Sequence, residues 1–514
     1  MALAKSYAIS LIGLNGTAIE VETDISSNLP SFLIVGLPDA SLSEATARVR
    51  AACTNSGLPL PNRKITVNLS PAAIPKQGSG FDLSIAVSAL RAAGTLSDES
   101  ETVFIGELGL DGSVRPVRGV LPALLAAKRE GFTRAMVPAA NAAEAHLVEG
   151  LEVIAVESLR QAAARLGADI ELHDSDSIYI PTSTAEPDIE TKDVADILGQ
   201  EFAVQALLAA AAGGHHLLLI GSPGVGKTML AERLPGLLPD LSVESAIETT
   251  AIHSIAIRKL QVGSELVVRP PFEAPHHSAS ASSLIGGGKG FPTPGLISMA
   301  HNGVLFLDEA PEFQQPALEA LRQAIESGEV QIARASGVGR FPARFQLVLA
   351  ANPCPCGYAM SRATACRCPQ AAKARYLARL SGPLLDRIDI RLRVPEANAA
   401  QIALDRKRTD RLDSARARAM VVAARERAAR RNLPFGFSLN AHAPANILRK
   451  HLIQNESAIA LLDAAARSGR LSMRGYDRCL RLALTLADLD DVVADASHVA
   501  RAMVLRGEDQ LVGA

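Results

Sequence analysis

The stretch Leu217-Leu-Leu-Ile-Gly-Ser-Pro-Gly-Val-Gly-Lys-Thr228 decides the reading of this chain. Four apolar residues, Leu217 to Ile220, read as a short buried strand. Gly221, Ser222, Pro223, Gly224, Val225 and Gly226 form a loop before Lys227 and Thr228, and Met229 to Leu234 reads as a helix. Strand, loop and helix in that order give G-x-x-x-x-G-K-T its phosphate-binding context. The glycines let backbone N–H groups turn inward, and the helix N-terminus adds a positive dipole end. Lys227 is expected to bridge the β- and γ-phosphates and Thr228 to hold Mg²⁺, so ATP with Mg²⁺ is the expected ligand.

Gly303-Val-Leu-Phe-Leu-Asp-Glu309 is a second apolar strand, ending in two acids. Asp308 is expected to bind Mg²⁺ and Glu309 to polarise the attacking water. A third strand, Phe345 to Ala351, ends in Asn352, whose amide can orient that water or sense the γ-phosphate. The other role open to Asn352 is to begin the turn before Pro353.

Leu380-Ser-Gly-Pro-Leu-Leu-Asp-Arg-Ile-Asp389 presents Arg387 among acids. A guanidinium is always charged and offers a planar fork of donors, which suits a neighbouring subunit's γ-phosphate. An ion-pair role within the chain is the alternative. If Arg387 acts in trans, the active form is a closed assembly. Arg474, at the start of a late helix, is expected to fold back on the nucleotide as a second sensor, or else to be a helix-surface arginine.

Cys354-Pro-Cys356 and Cys366-Arg-Cys368 are separated by nine residues. Four thiolates can hold a tetrahedral Zn²⁺ with no open position, so a structural metal is expected and a catalytic one is not. Four reduced cysteines in an irregular loop are the alternative. Only Cys53 and Cys479 lie elsewhere, which argues against a disulfide framework.

At 514 residues the chain has room for about three domains of ordinary size. Apolar residues make up 48% and charged residues 21%, and the net charge is −2, so any nucleic-acid contact must come from local patches. There is no Trp, which weakens recognition of bases by aromatic stacking. No apolar run reaches the ~18 residues of a membrane span. No secretion signal is evident, so the expected location is cytoplasmic, without a membrane partner.

Residues 1–165 alternate strand-like pieces (31–36, 64–69, 103–108, 135–138) with helix-like pieces (43–56, 81–93) and read as an α/β domain. Residues 166–191 read as a polar linker. Residues 192–395 form a second α/β unit with all the recognisable chemistry, and residues 396–514 are helical.

Two places suggest contact with DNA. Between Arg406 and Arg431 stand ten basic and three acidic residues, and Arg411, Arg418 and Arg425 recur at a spacing that shares one helix face. A solvated basic face would give the same pattern. Gly286-Gly-Gly-Lys-Gly-Phe291 would present Lys289 and Phe291 on a mobile loop. His276 and His277 have no spaced partners for a metal site, so packing or loop hydrogen bonds are expected.

Taken together, these strings resemble the Mg-chelatase-like AAA+ ATPases, and within them the ComM (YifB) family. Gly213-Gly-His-His216, Phe272-Glu-Ala-Pro-His-His-Ser278, Asn352-Pro-Cys-Pro-Cys-Gly357 and Leu471-Ser-Met-Arg-Gly-Tyr-Asp477 carry the likeness beyond the phosphate loop. The resemblance implies a central AAA+ core with a C-terminal helical lid, assembled as a hexamer. The implied activity is that of a DNA helicase promoting branch migration in natural transformation. The first domain resembles the peptidase domain of Lon. There the catalytic serine position falls on Gly80, beside Ser79, and the lysine position on Leu121. Leucine cannot accept a proton, so the resemblance implies the fold without the Ser–Lys dyad.

Overall fold

The computed structural model describes residues 2–36, 42, 44–76, 78–97, 101–172, 192–256, 266–288, 292–334, 337–361, 363–452 and 455–507. Most of the expected linker (173–191) and both tentative DNA contacts, Lys289 and Phe291, lie outside the described residues.

β1 (Ala2–Ile12) and β2 (Asn15–Ser26) form a long antiparallel hairpin that turns at Gly13, with φ 63°. β3 (Ser31–Val35), β4 (Lys64–Ser70), β5 (Thr102–Phe104), β6 (Arg134–Pro138) and β7 (Glu152–Val156) complete a mixed sheet. Its order is β3-β4-β2-β1-β5-β6-β7. Side chains alternate across it: Ala8 joins a core with α1 (Ala45–Asn55) and α2 (Asp82–Ala92), while Ile9 joins another with α3 (Val120–Arg129). The strand expected over 103–108 divides into β5 and a separate arm, Glu107–Leu108, paired with Val114–Arg115.

Leu121 is fully buried in α3. The Ser79 hydroxyl donates to the Glu107 carboxylate. Lys76 is buried and donates to the carbonyls of Gly36 (2.9 Å) and Pro71.

The second unit is a five-stranded parallel sheet of β8 (Leu217–Ile220), β9 (Phe272–Glu273), β10 (Val304–Leu307), β11 (Gln346–Ala351) and β12 (Ile390–Arg393). The order is β9-β10-β11-β8-β12. Leu217 and Leu219 pack with Leu230 and Leu234 of α4 (Lys227–Leu237). α5 (Val243–Ile255) follows, and Leu218 packs on the opposite face with Leu318 and Leu321 of α6 (Gln315–Ser327). Cover on both faces is why these strands are continuous apolar runs. Each leucine so buried contributes about 1.5–3 kcal/mol.

The C-terminal helices, among them α7 (Ser414–Asn432) and α8 (Met473–Asp490), share this core through Ala417, Val421, Leu482 and Leu486. The first domain docks through Ser254 near the end of α5. Gly119 N–H donates to the Ser254 carbonyl (3.0 Å), and the Ser254 hydroxyl donates to Glu144 (2.7 Å). Among the described residues, no helix is long and apolar enough to cross a membrane.

Candidate active site

Because β8, β10 and β11 are parallel, the residues that follow them converge at one end of the sheet. Gly221, Asp308 and Asn352 each follow one of these strands, which is how three distant segments meet. Gly224 (φ 80°) and Gly226 (φ 90°) take the left-handed backbone that lets the loop curl. A Cβ added at Gly224 would meet nothing within 4 Å, so the loop is uncrowded at that position.

Lys227 Nζ donates to the carbonyls of Gly221 (2.7 Å) and Ser222 (3.0 Å) and to Asn352 Oδ1 (3.1 Å). Burial pulls its pKa down, opposed by the charges of Asp308 and Glu309. Thr228 Oγ1 donates to Asp308 Oδ2 at 2.7 Å, which sets a hydroxyl and a carboxylate side by side. Such hard oxygen donors suit Mg²⁺. The Ser222 hydroxyl and Gln200 Oε1 are buried without a partner. The orphaned Ser222 hydroxyl, the left-handed glycines and the buried Lys227 ammonium fit a polyphosphate with its metal ion.

Glu309 has φ 50°, one of three non-glycine residues with positive φ among those described. Its Oε2 lies 3.1 Å from His277 Nδ1. The expectation of a loop hydrogen bond holds for His276, whose Nδ1 lies 2.8 Å from Ser278 Oγ. For His277 the partner is instead the acid expected to polarise water.

Arg387 and Arg474 stand elsewhere. Asp386, Arg387 and Asp389 precede β12, so they lie at the amino end of a sheet whose carboxyl end carries the phosphate loop. A four-residue strand separates the two ends by roughly 13 Å. Arg387 pairs with Glu326, and Arg474 Nη1 donates to Asp386 Oδ2 at 2.7 Å. Arg474 is highly exposed. The expectation that Arg474 folds back on its own nucleotide is therefore corrected. Its helix α8 packs where the sheet begins, and Arg474 shares a face with Arg387.

Arg478 reinforces that face, donating to the Arg387 carbonyl (3.1 Å) and pairing with Asp389. Asp389 is in turn 3.2 Å from His215 Nδ1, and His215 Nε2 is 2.8 Å from Thr485 Oγ1. Burial raises the Asp389 carboxyl, but the His215 hydrogen bond and the charges of His215 and Arg478 outweigh it and hold the group far below its ordinary value. A cleft of about 950 Å³ opens here, lined by Arg344, Arg387, Arg425, Arg478 and Arg481.

The four cysteine Sγ atoms all lie within 4.8 Å of one another. Cys354 is 3.4 Å from Cys356 and 3.6 Å from Cys366, and Cys356 is 3.6 Å from Cys366. Thiolates about 2.3 Å from a shared tetrahedral zinc stand about 3.8 Å apart, so the cluster fits that ion.

The basic run does not form a free stripe. Arg411 precedes α7 and donates to the Ala195 carbonyl (2.7 Å), Arg418 pairs with Asp240 (2.7 Å), and Arg425 donates to the Ala211 carbonyl (2.7 Å). All three are turned onto protein, which corrects the reading of a shared DNA-facing stripe. The sequence reading also missed Gln200, whose side-chain amide donates to the Val225 carbonyl at 2.7 Å and ties the segment before β8 to the phosphate loop.

Fold and site together define a P-loop ATPase of the AAA+ class. The family described as "Magnesium chelatase, subunit ChlI" matches residues 193–402. "Subunit ChlI of Mg-chelatase" matches 21–141, and the ChlI C-terminal family matches 411–506. An uncharacterized protein of Mycobacterium tuberculosis is 48% identical over 491 residues, 95% of each chain. Competence protein ComM of Haemophilus influenzae is 40% identical over 493 residues, 95% of this chain and 94% of that one. YifB of Escherichia coli, also uncharacterized, is 40% identical over 523 residues, 100% of this chain and 98% of its own. The chain belongs to the ComM/YifB family of Mg-chelatase-like AAA+ ATPases. The chain is also similar, over 30% of its length, to Lon protease 1 of Sorangium cellulosum, 27% identical over 164 residues that cover 20% of that protein.

Proposed function

We propose that this chain is an ATP-driven DNA motor, a hexameric helicase that promotes branch migration in recombination during natural transformation. The observation that carries the motor reading is the polarity of its sheet. The phosphate loop, Asp308, Glu309 and Asn352 sit at one end, and Arg387 and Arg474 at the other. A site completed by a neighbour's arginines couples hydrolysis to movement between copies. The DNA reading draws on full-length similarity to a competence protein.

In this reading Lys227 neutralises phosphate charge and the backbone of Gly221 to Gly226 cradles it. Thr228 and Asp308 hold Mg²⁺, which would neutralise charge on the phosphates. Glu309 accepts a proton from the attacking water, and Asn352 orients that water. Arg387 and Arg474 reach the neighbouring copy's γ-phosphate. Cys354, Cys356, Cys366 and Cys368 hold a structural zinc. Residues 1–165 serve as a Lon-like docking or threading domain without peptidase chemistry, 166–191 as a linker, 192–395 as the ATPase core and 396–514 as its lid. The location is cytoplasmic.

A second reading, an ATPase that remodels a protein partner or serves a chelatase, is favoured by the three magnesium-chelatase family matches. ATPase rates with single-stranded, duplex and four-way-junction DNA separate the two, with Glu309→Gln as control. Stimulation by DNA, lost in the variant, supports the motor. An ATPase indifferent to every DNA overturns it and leaves the partner-remodelling reading.

A further inference from the structure

The string Gly213-Gly-His-His216 stands just before β8 and touches none of the phosphate loop's chemistry. Gly213 ends the helix Glu201–Gly213, and Gly214 (φ 74°) turns the chain back toward the sheet. A Cβ on Gly213 would collide with Nε2 of His215 and lie 2.5 Å from Oγ1 of Thr485, so only glycine lets that ring reach α8. β8 and β12 are parallel neighbours, with Leu217 beside Ile390. The residues that precede them, His215 and Asp389, therefore meet at the amino end of the sheet, both buried.

Asp389 is held from two sides. Its Oδ2 lies 3.2 Å from His215 Nδ1, and because an ionised carboxylate only accepts, that nitrogen carries the proton. Its Oδ1 accepts from Nη1 of Arg478, and the same Nη1 donates to the Arg387 carbonyl at 3.1 Å. Arg478 stands one turn after Arg474 on α8, so the two share a face. Arg474 donates to Asp386 while Arg478 holds Arg387 and Asp389, which bolts the start of α8 along residues 386–389. The Arg387 guanidinium itself rests on exposed contacts, Glu326 and the Pro383 carbonyl (2.6 Å). Its tip is the replaceable part and the backbone beneath it the fixed part. A long side chain reaches a phosphate productively only when its stem is held in place.

We propose that Arg478, oriented by Asp389 and His215, is a positioning residue that holds Arg387 and Arg474 at a fixed separation for a neighbouring copy's phosphate. The inference rests on the reading of those two arginines as acting in trans. Arg478 acts through them and not on the phosphate loop of its own copy, so its loss falls on the neighbour's turnover.

The test measures kcat and KM for ATP, with Mg²⁺ present, in the full chain and in Arg478→Ala, Arg478→Lys, Arg387→Ala and Lys227→Ala. Thermal melting, binding of a fluorescent ATP analogue and sedimentation with that analogue are followed in each. Arg478→Ala is expected to lower kcat about 10- to 100-fold, with KM and analogue binding within about twofold. Arg478→Lys, whose ammonium can donate to both oxygens, restores most of the loss. Mixed in equal amounts with Lys227→Ala, Arg478→Ala regains about a quarter of wild-type activity, and mixed with Arg387→Ala it regains nothing. A residue with a merely structural role would damage its own copy's site and recover with neither partner. Should Arg478→Ala fail to fold, Asp389→Asn keeps the shape without the charge, and the same pattern is expected of it. An unchanged kcat, recovery with Arg387→Ala, no recovery with Lys227→Ala, or a loss of assembly in place of turnover each overturns the proposal. If Lys227→Ala and Arg387→Ala do not complement each other, the trans reading of Arg387 fails first and the proposal with it, a result distinct from the others.

Discussion

A Cβ placed on Gly357 would lie 2.6 Å from Cγ of Pro223, so the cysteine-bearing segment rests directly on the phosphate loop. Gly357 has φ 83°, which adds backbone strain to the clash for any L side chain. Gly357→Ala is expected to weaken ATP binding by about 1–3 kcal/mol, measured with a fluorescent ATP analogue. Gly236→Ala, where a Cβ meets nothing within 4 Å, is the control and leaves binding unchanged.

Metal content follows from the same segment. Purified protein is expected to carry one zinc per chain by elemental analysis. Cys366→Ser abolishes it, while Cys53→Ser and Cys479→Ser, far along the sequence from the cluster, retain it. Chelation that strips the ion is expected to lower ATP affinity as well, because Cys354 follows Asn352 by two residues and Asn352 accepts from Lys227.

The separation of Lys227 from Arg387 gives a complementation test. Lys227→Ala removes the phosphate site of a copy, and Arg387→Ala removes what that copy lends its neighbour. Each variant alone is expected to lose at least about 10²-fold in ATPase rate. Mixed in equal amounts they regain about a quarter of wild-type activity, since a quarter of random interfaces pair an intact loop with an intact arginine. No recovery on mixing would place Arg387 outside the site.

His216 sets an acid limit. Burial pushes it down to about 4, opposed by the charge of Asp389. Its Nδ1 accepts from Leu347 N–H at 3.0 Å, which requires the neutral ring. Between about 6.5 and 4 the unfolded chain binds a proton that the folded one does not, so stability falls as pH falls through that window. Because the ring lines an open cleft, the loss is about 1–2 kcal/mol. His216→Asn keeps an acceptor without titrating, and thermal melts from pH 7 to 4.5 are expected to show a shallower decline.

Much of the site was legible because it is local. The phosphate loop announces itself by strand, glycines, Lys227 and Thr228 within one short run. Asp308 and Asn352 each end an apolar strand, and parallel pairing does the rest. The pairing of His277 with Glu309 was not legible, because it depends on β9 lying beside β10. Arg474 was misplaced for a related reason: its motif marks a helix start but not which end of the sheet that helix packs against. Arg411, Arg418 and Arg425 showed a helical period, yet a period cannot tell a face turned to solvent from one turned to the carbonyls of Ala195 and Ala211. In the first domain the hairpin of β1 and β2 was overlooked although Gly13 and the Asn15-Gly16 dipeptide, between two alternating stretches, are turn signals.

On the reading that Arg387 serves a neighbour's phosphate loop, a single copy cannot complete its own site. Joined head to tail in an open string, n copies hold n − 1 finished sites and one idle loop at the tip. Closing the string removes the idle tip. Turnover per chain should therefore climb with protein concentration and then level off, and the plateau marks the point at which free ends have disappeared.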